Sequence, residues 1–148
     1  MGQNNIFVGC RFEILRIIGI DPGLRNTGWG IIELKSNRLV HVDDGRISPP
    51  AIYSVGERLL FLKNKLTTIV ENYNPNLSAI EQIFVGPGTG SSLKLGMARG
   101  VSMLVLAHAG LSIKELPPKL VKKNNYRLWI CFKRSNKIND RKIIKYYP

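Results

Sequence analysis

An apolar run that ends on a lone carboxylate and turns at once through Pro-Gly constrains this chain more than any other feature. The run is Ile17-Ile18-Gly19-Ile20-Asp21, followed by Pro22-Gly23-Leu24-Arg25-Asn26 and then Thr27-Gly28-Trp29-Gly30. It reads as a buried strand, a tight turn and the returning arm of an antiparallel hairpin. Taken alone, an Asp before Pro-Gly is a turn-capping residue. An Asp at the end of a buried strand is also costly unless something pairs with it, and a divalent cation is a usual partner.

The order of elements follows from periodicity. Strands are expected over 15–21, 27–34 and 39–47, the third interrupted by Asp43-Asp44-Gly45. From Ser54 to Asn72 the apolar spacing becomes helical, with Leu59, Leu62, Leu66, Ile69 and Val70 on one face and Glu57, Lys63 and Lys65 on the other. A strand over 77–84 carries a single acid, Glu81. After the loop Gly86-Pro87-Gly88-Thr89-Gly90, Ser91 is expected to N-cap a helix reaching about Ala109. Its apolar positions are Leu93, Leu95, Val101, Leu104, Val105 and Leu106, and a fifth strand over 111–116 follows Gly110. Three strands, then helix, strand, helix, strand, is an α/β layout with a mixed sheet. A right-handed crossover sets the Glu81 strand beside the first strand. Neighbouring strands lie about 4.8 Å apart, so Asp21 and Glu81 can share one ion. Oxygen-only ligands point to Mg²⁺ or Mn²⁺.

Charge indicates the class of partner. The chain of 148 residues is one domain by length and carries a net charge of +12, which favours a polyanion, nucleic acid by default. A metal site in a basic chain suggests phosphodiester hydrolysis. Cys10 and Cys131 form neither a metal-ligand spacing nor a disulfide framework, so a reducing cytoplasm is expected. No targeting segment or membrane span is legible. His41 and His108 read as a surface and a helix-face histidine.

Four motifs in order then resemble one family. Gly19-Ile20-Asp21-Pro22-Gly23-x-Arg25-x-Thr27-Gly28-x-Gly30 is similar to the opening of the RuvC-type Holliday junction resolvases, the bacterial crossover-junction endonucleases. Ala79-Ile80-Glu81-Gln82-Ile83-Phe84, Ser91-Ser92-Leu93-Lys94-Leu95-Gly96-Met97-Ala98-Arg99-Gly100-Val101 and Pro118-x-x-Val121-Lys122-Lys123 resemble later segments of the same family. The resemblance implies a ribonuclease-H-like mixed sheet flanked by helices, a homodimer, and Mg²⁺-dependent nicking of four-way junction DNA in recombination and repair, alongside branch-migration motor proteins. It makes Asp21 and Glu81 two of four catalytic, metal-holding carboxylates. It makes Arg25, Phe84, Lys94, Arg99 and Lys122 DNA contacts. The helix holding Leu93 and Met97 would also meet a second copy. The Gly86–Gly90 loop departs from the pattern, because the family commonly has Asn or a charged residue there.

The resemblance covers residues 15–123, preceded by an extension over 1–14. Beyond Lys123 the family continues to a last helix with an Asp-Ala-Ala-Asp-type pair, the source of the other two ligands. Residues 124–148 hold seven Lys or Arg and one acid, Asp140, seated among Lys137, Arg141 and Lys142. Asp140 reads as a solvated residue making local pairs. The expectation is therefore a resolvase domain missing its final helices, with a basic tail translated out of frame. Shifted by one base, the codons of Trp129-Ile130 must encode Gly, and A/T-rich codons turn 124–133 into a Thr-Gly-x-Gly-x-Ala-x-Lys segment like the family's. Two alternatives stand beside it. One is a catalytically dead DNA-binding remnant. The other is a fragment of a sugar-kinase- or actin-like ATPase, folds that also open with a strand ending in Asp-x-Gly.

Overall fold

The computed structural model describes residues 14–36, 38–82, 89–116 and 144–145. Its elements are β1 (Leu15–Asp21), β2 (Thr27–Lys35), β3 (Arg38–Ile47), α1 (Val55–Tyr73), β4 (Leu77–Glu81), α2 (Thr89–His108), β5 (Ser112–Leu116) and the short β6 (Ile144–Lys145). The sheet order is β5-β4-β1-β2-β3-β6. The hairpin β1–β2–β3 is antiparallel, while β4 and β5 add in parallel beside β1.

Strand alternation divides the sheet into two faces. Ile18 and Ile20 of β1, Ile31 of β2, Ile47 of β3 and Ile80 of β4 point one way and are buried beneath Leu62, Leu66 and Val70 of α1 and Ala98, Val105 and Leu106 of α2. That is the core. The residues between them in sequence point to the other face.

Local chemistry sets the ends of α1. Ser54 and Glu57 form a reciprocal capping box: the Glu57 N–H donates to Ser54 Oγ at 3.4 Å and the Ser54 N–H donates to Glu57 Oε2 at 2.7 Å. Asn74 closes the helix in the left-handed conformation at φ 44°. Gly110, at φ 74°, takes the same role after α2.

One residue fixes how β4 enters the sheet. The Arg16 N–H donates to Asn76 Oδ1 at 2.8 Å, and the Asn76 N–H donates to the Arg16 carbonyl at 2.8 Å. The Arg16 guanidinium reaches Glu33 on β2 and the Tyr73 carbonyl at the end of α1. The start of β4 is thereby tied to β1 and β2 in a fixed register, and four residues later Ile80 stands opposite Ile20.

The structure corrects several expectations. The third strand is not interrupted at Asp43-Asp44-Gly45, because the ladder absorbs a shift between Ile31 and Ile32 and continues to Ile47. Gly45 is what lets it pass: a Cβ there would come within 2.8 Å of the Trp29 indole. The fourth strand is described only to Glu81. The second helix starts at Thr89, so residue 91 lies in its first turn and not at its N-cap. Of the expected apolar positions of α2, Leu93 and Leu104 are 61% and 66% exposed, while Val105 and Leu106 join Ala98 against the sheet.

Candidate active site

The turn that releases Asp21 from β1 is built from its own sequence. Thr27, 1% exposed, donates its hydroxyl to the Gly23 carbonyl at 2.8 Å and accepts the Gly23 N–H at 3.3 Å. A Cβ on Gly23 would meet the Asn26 carbonyl oxygen at 2.4 Å, so the turn needs glycine. Ser48 then donates to Asn26 Oδ1 at 2.8 Å and ties the turn to the end of β3.

Asp21 closes β1 and Glu81 closes β4. Ile20 is paired with Ile80, so the next residues along these parallel strands, Asp21 and Glu81, stand side by side. Both follow a buried isoleucine of the core face, and alternation sends both carboxylates to the face that α1 and α2 do not cover. Each is partly buried and each is engaged in interactions. The two residues that sequence reasoning singled out thus occupy neighbouring strand ends on one face.

The rest of that face is legible from the register. Asp21 is paired with Gly28, and Gly28 with Arg46. Glu81 is paired with Leu116. One row across the sheet therefore reads Leu116, Glu81, Asp21, Gly28, Arg46. The next row toward the start of β1 reads Lys114, Ala79, Gly19, Gly30, Asp44. Beside the carboxylates the strand residues are Gly19, Gly28, Gly30 and Ala79; Gly30 is buried and the other three are partly buried. Asp44 Oδ1 pairs with His41 Nε2 across 2.9 Å and lies two strands from Asp21, about 12 Å away by strand spacing. It is not part of the acidic pair.

The donor set suits a hard cation: two carboxylates from adjacent strands and no nitrogen or sulfur among them. Among the described residues, no third acidic, histidine or cysteine ligand joins them. The described residues thus supply two ligands.

The expected DNA contacts are distributed unevenly. Arg25 is exposed in the turn after Asp21, and Lys94 is exposed on α2. The Arg99 guanidinium is paired with Glu115 of β5 on the helix-covered face. Phe84, Lys122 and Asp140 lie outside the described residues. Sequence reasoning passed over Arg46 and Lys114. Their signal was parity, since each sits one residue from a position pointing to the helices.

Comparison with known proteins agrees with this geometry. Residues 17–126 match the family model of the crossover junction endodeoxyribonuclease RuvC. The chain is 50% identical over 109 residues to RuvC of Rhodopseudomonas palustris, covering 74% of this chain and 63% of that protein. RuvC of Ruegeria pomeroyi is also 50% identical over 109 residues, with 74% of this chain and 66% of the relative covered. The chain thus spans slightly less than two thirds of these relatives' length. Thermus thermophilus RuvC in complex with Holliday junction substrate shares the fold, at a TM-score of 0.71 and 19% identity over 86% of this chain and 84% of that one. The yeast mitochondrial Holliday junction resolvase shares it at a TM-score of 0.56 and 16% identity, over 83% and 57% of the two chains. With a ribonuclease-H-like mixed sheet, an acid ending each of two neighbouring strands and a family match over most of its length, this chain belongs to the RuvC crossover junction endodeoxyribonuclease family.

Proposed function

We propose that residues 15–123 form a resolvase domain that recognises four-way DNA junctions and holds Mg²⁺ or Mn²⁺ between Asp21 and Glu81. The observation that carries this is the side-by-side placement of the two acids on the face of a RuvC-family sheet that α1 and α2 do not cover. When bound there, the metal would supply Lewis-acid activation of a phosphodiester. The chain's part is to hold two carboxylates in fixed register and to set cations around them. Arg25 and Lys94 are exposed and suited to phosphate contact. Phe84 and Lys122 are carried as base and phosphate contacts by motif alone. Arg99 is assigned the same contact by motif, but its pairing with Glu115 makes bracing β5 against α2 its first duty.

A second copy fits α2. Leu93, Met97 and Leu104 are 61%, 38% and 66% exposed along that helix, and a Cβ at Gly96 or Gly100 would meet nothing within 4 Å. This open apolar edge supports the homodimer that the family resemblance implies; the cytoplasm and a branch-migration motor as neighbour are carried by that resemblance alone. No described helix is long and apolar enough to cross a membrane. Family membership sets aside the ATPase alternative.

The same proposal includes an out-of-frame tail. The family match stops at residue 126, near the Lys122-Lys123 pair where an A-rich run of codons would slip. With Asp140 as the lone acid of 124–148, two of the family's four carboxylates have no counterpart in the chain. The expected behaviour is junction binding that weakens steeply with salt and negligible nicking. A synthetic four-way junction tests this: clean Mg²⁺-dependent nicking by the purified 148-residue chain would overturn the loss of chemistry. Equal affinity for linear duplex would overturn junction recognition. An intact reading frame without an A-run at the Lys122 and Lys123 codons would refute the frameshift.

A further inference from the structure

We propose that Arg46 and Lys114 are phosphate-contacting residues that hold DNA on the sheet face away from α1 and α2, on either side of the Asp21–Glu81 pair. This extends the DNA-binding reading above and rests on it.

The placement of Arg46 follows from its neighbours. Ile47 is paired with Thr27, and both are buried; Gly45 packs on the Trp29 ring, which in turn meets Tyr73 of α1. Residues 45 and 47 therefore point to the helices, and Arg46 points away from them. Its pairing with Gly28 puts it in the row of Asp21, two strands and about 10 Å distant, with no side chain between. The same logic places Lys114. Glu115 points to α2, where it meets Arg99, and so Lys114 points to the free face. Its row also contains Ala79 and Gly19, immediately beside Glu81 and Asp21 in their strands.

Both cations are exposed, and among the described residues neither enters an ion pair. Arg16 and Arg99, by contrast, are committed to Glu33 and Glu115. Lys114 and Arg46 stand four strand spacings apart and one row offset, about 20 Å. That distance covers the axial rise of roughly five phosphates on one DNA strand. Between them lie two carboxylates and a floor of Gly19, Gly28, Gly30 and Ala79. Two acids alone would repel a polyanion, so cations flanking them on the same face offset that repulsion and set the line along which a backbone can cross.

The test is binding of a synthetic four-way junction by the full chain across a salt series, for wild type, Arg46→Gln, Lys114→Gln and the double variant. Removing one phosphate contact lowers the slope of log affinity against log salt by about 0.9. The double variant is expected to lower the slope by nearly 2 and to bind at least tenfold more weakly at moderate salt. Arg46→Lys should recover most of the slope that Arg46→Gln removes. Lys63→Gln, which removes an exposed cation from α1 on the other side of the sheet, should leave the slope as it is. If wild type binds with a steep slope and the double variant matches it, the inference is overturned while the DNA-binding reading stands. If wild type does not bind the junction at all, both fall. A far-ultraviolet spectrum and melting point equal to wild type show that weaker binding comes from the missing cation and not from a damaged fold.

Discussion

The two faces of this sheet are made of alternate residues of the same strands, yet around the ends of β1 and β4 they carry unlike side chains. On one side, Ile18, Ile20, Ile31 and Ile80 are fully buried beneath two helices. On the other, the residues next to them in sequence are Gly19, Asp21, Gly30 and Glu81, with Arg46 and Lys114 at the flanks. The first face holds the fold together; the second is shaped for charge. The lesson is that each strand serves stability and chemistry by turns, so neighbouring substitutions should have unlike consequences.

The sharpest way to break this contrast is to change Ile20 and Asp21, adjacent on β1. Ile20→Ala should cost about 2–5 kcal/mol in urea unfolding, through reduced burial and a cavity. Asp21→Asn should shift stability by less than about 1 kcal/mol. Comparable losses from both would show that the face away from α1 and α2 is structural too. Gly45→Ala comes next. Its Cβ would press on the Trp29 ring, at an expected cost of about 1–3 kcal/mol. Gly100→Ala, on an open stretch of α2, should instead gain about 1 kcal/mol in the monomer. A loss there, concentration-dependent by sedimentation, would mark α2 as a close-packed dimer edge.

Smaller effects test how α1 is anchored over the core. Ser54→Ala removes the N-cap acceptor and should cost about 1 kcal/mol, read from the melting temperature. The two hydrogen bonds with Ser54 hold the Glu57 carboxyl below its usual range. Its contribution is therefore complete above the ordinary value and fades as pH falls through the lowered one. An acid titration of helicity should show this fading in wild type and not in Glu57→Gln. At the other extreme, Tyr73 donates to Asp43, which raises its phenol above the ordinary 10.0. That contribution is complete below the ordinary value and disappears as pH rises through the raised one. Tyr73→Phe should remove this alkaline limb.

Much of this was legible in the sequence because strong local signals agreed with the fold. The strand–turn–strand motif placed Asp21 and its turn, the three-and-four spacing placed Leu62, Leu66 and Val70, and the crossover rule set Glu81 beside Asp21. What escaped were features decided by tertiary register. Asp43-Asp44-Gly45 looked like a break, but Gly45 is where β3 yields to the Trp29 ring. Leu104 stood among the apolar positions of α2, yet its neighbours Val105 and Leu106 face the sheet while it is exposed. Arg46 and Lys114 carried no motif at all; only pairing tells which face they share with the acids.

The central claim is that Asp21 and Glu81, at the ends of β1 and β4, form a metal site. Paramagnetic broadening by Mn²⁺, followed in amide NMR spectra of the full chain, tests it most directly. The account predicts broadening centred on Gly19, Gly28, Gly30 and Ala79 at substoichiometric Mn²⁺. The amides of α1 should stay sharp, and Asp21→Asn with Glu81→Gln should abolish the effect. Broadening centred elsewhere, or unchanged in that double variant, would contradict it.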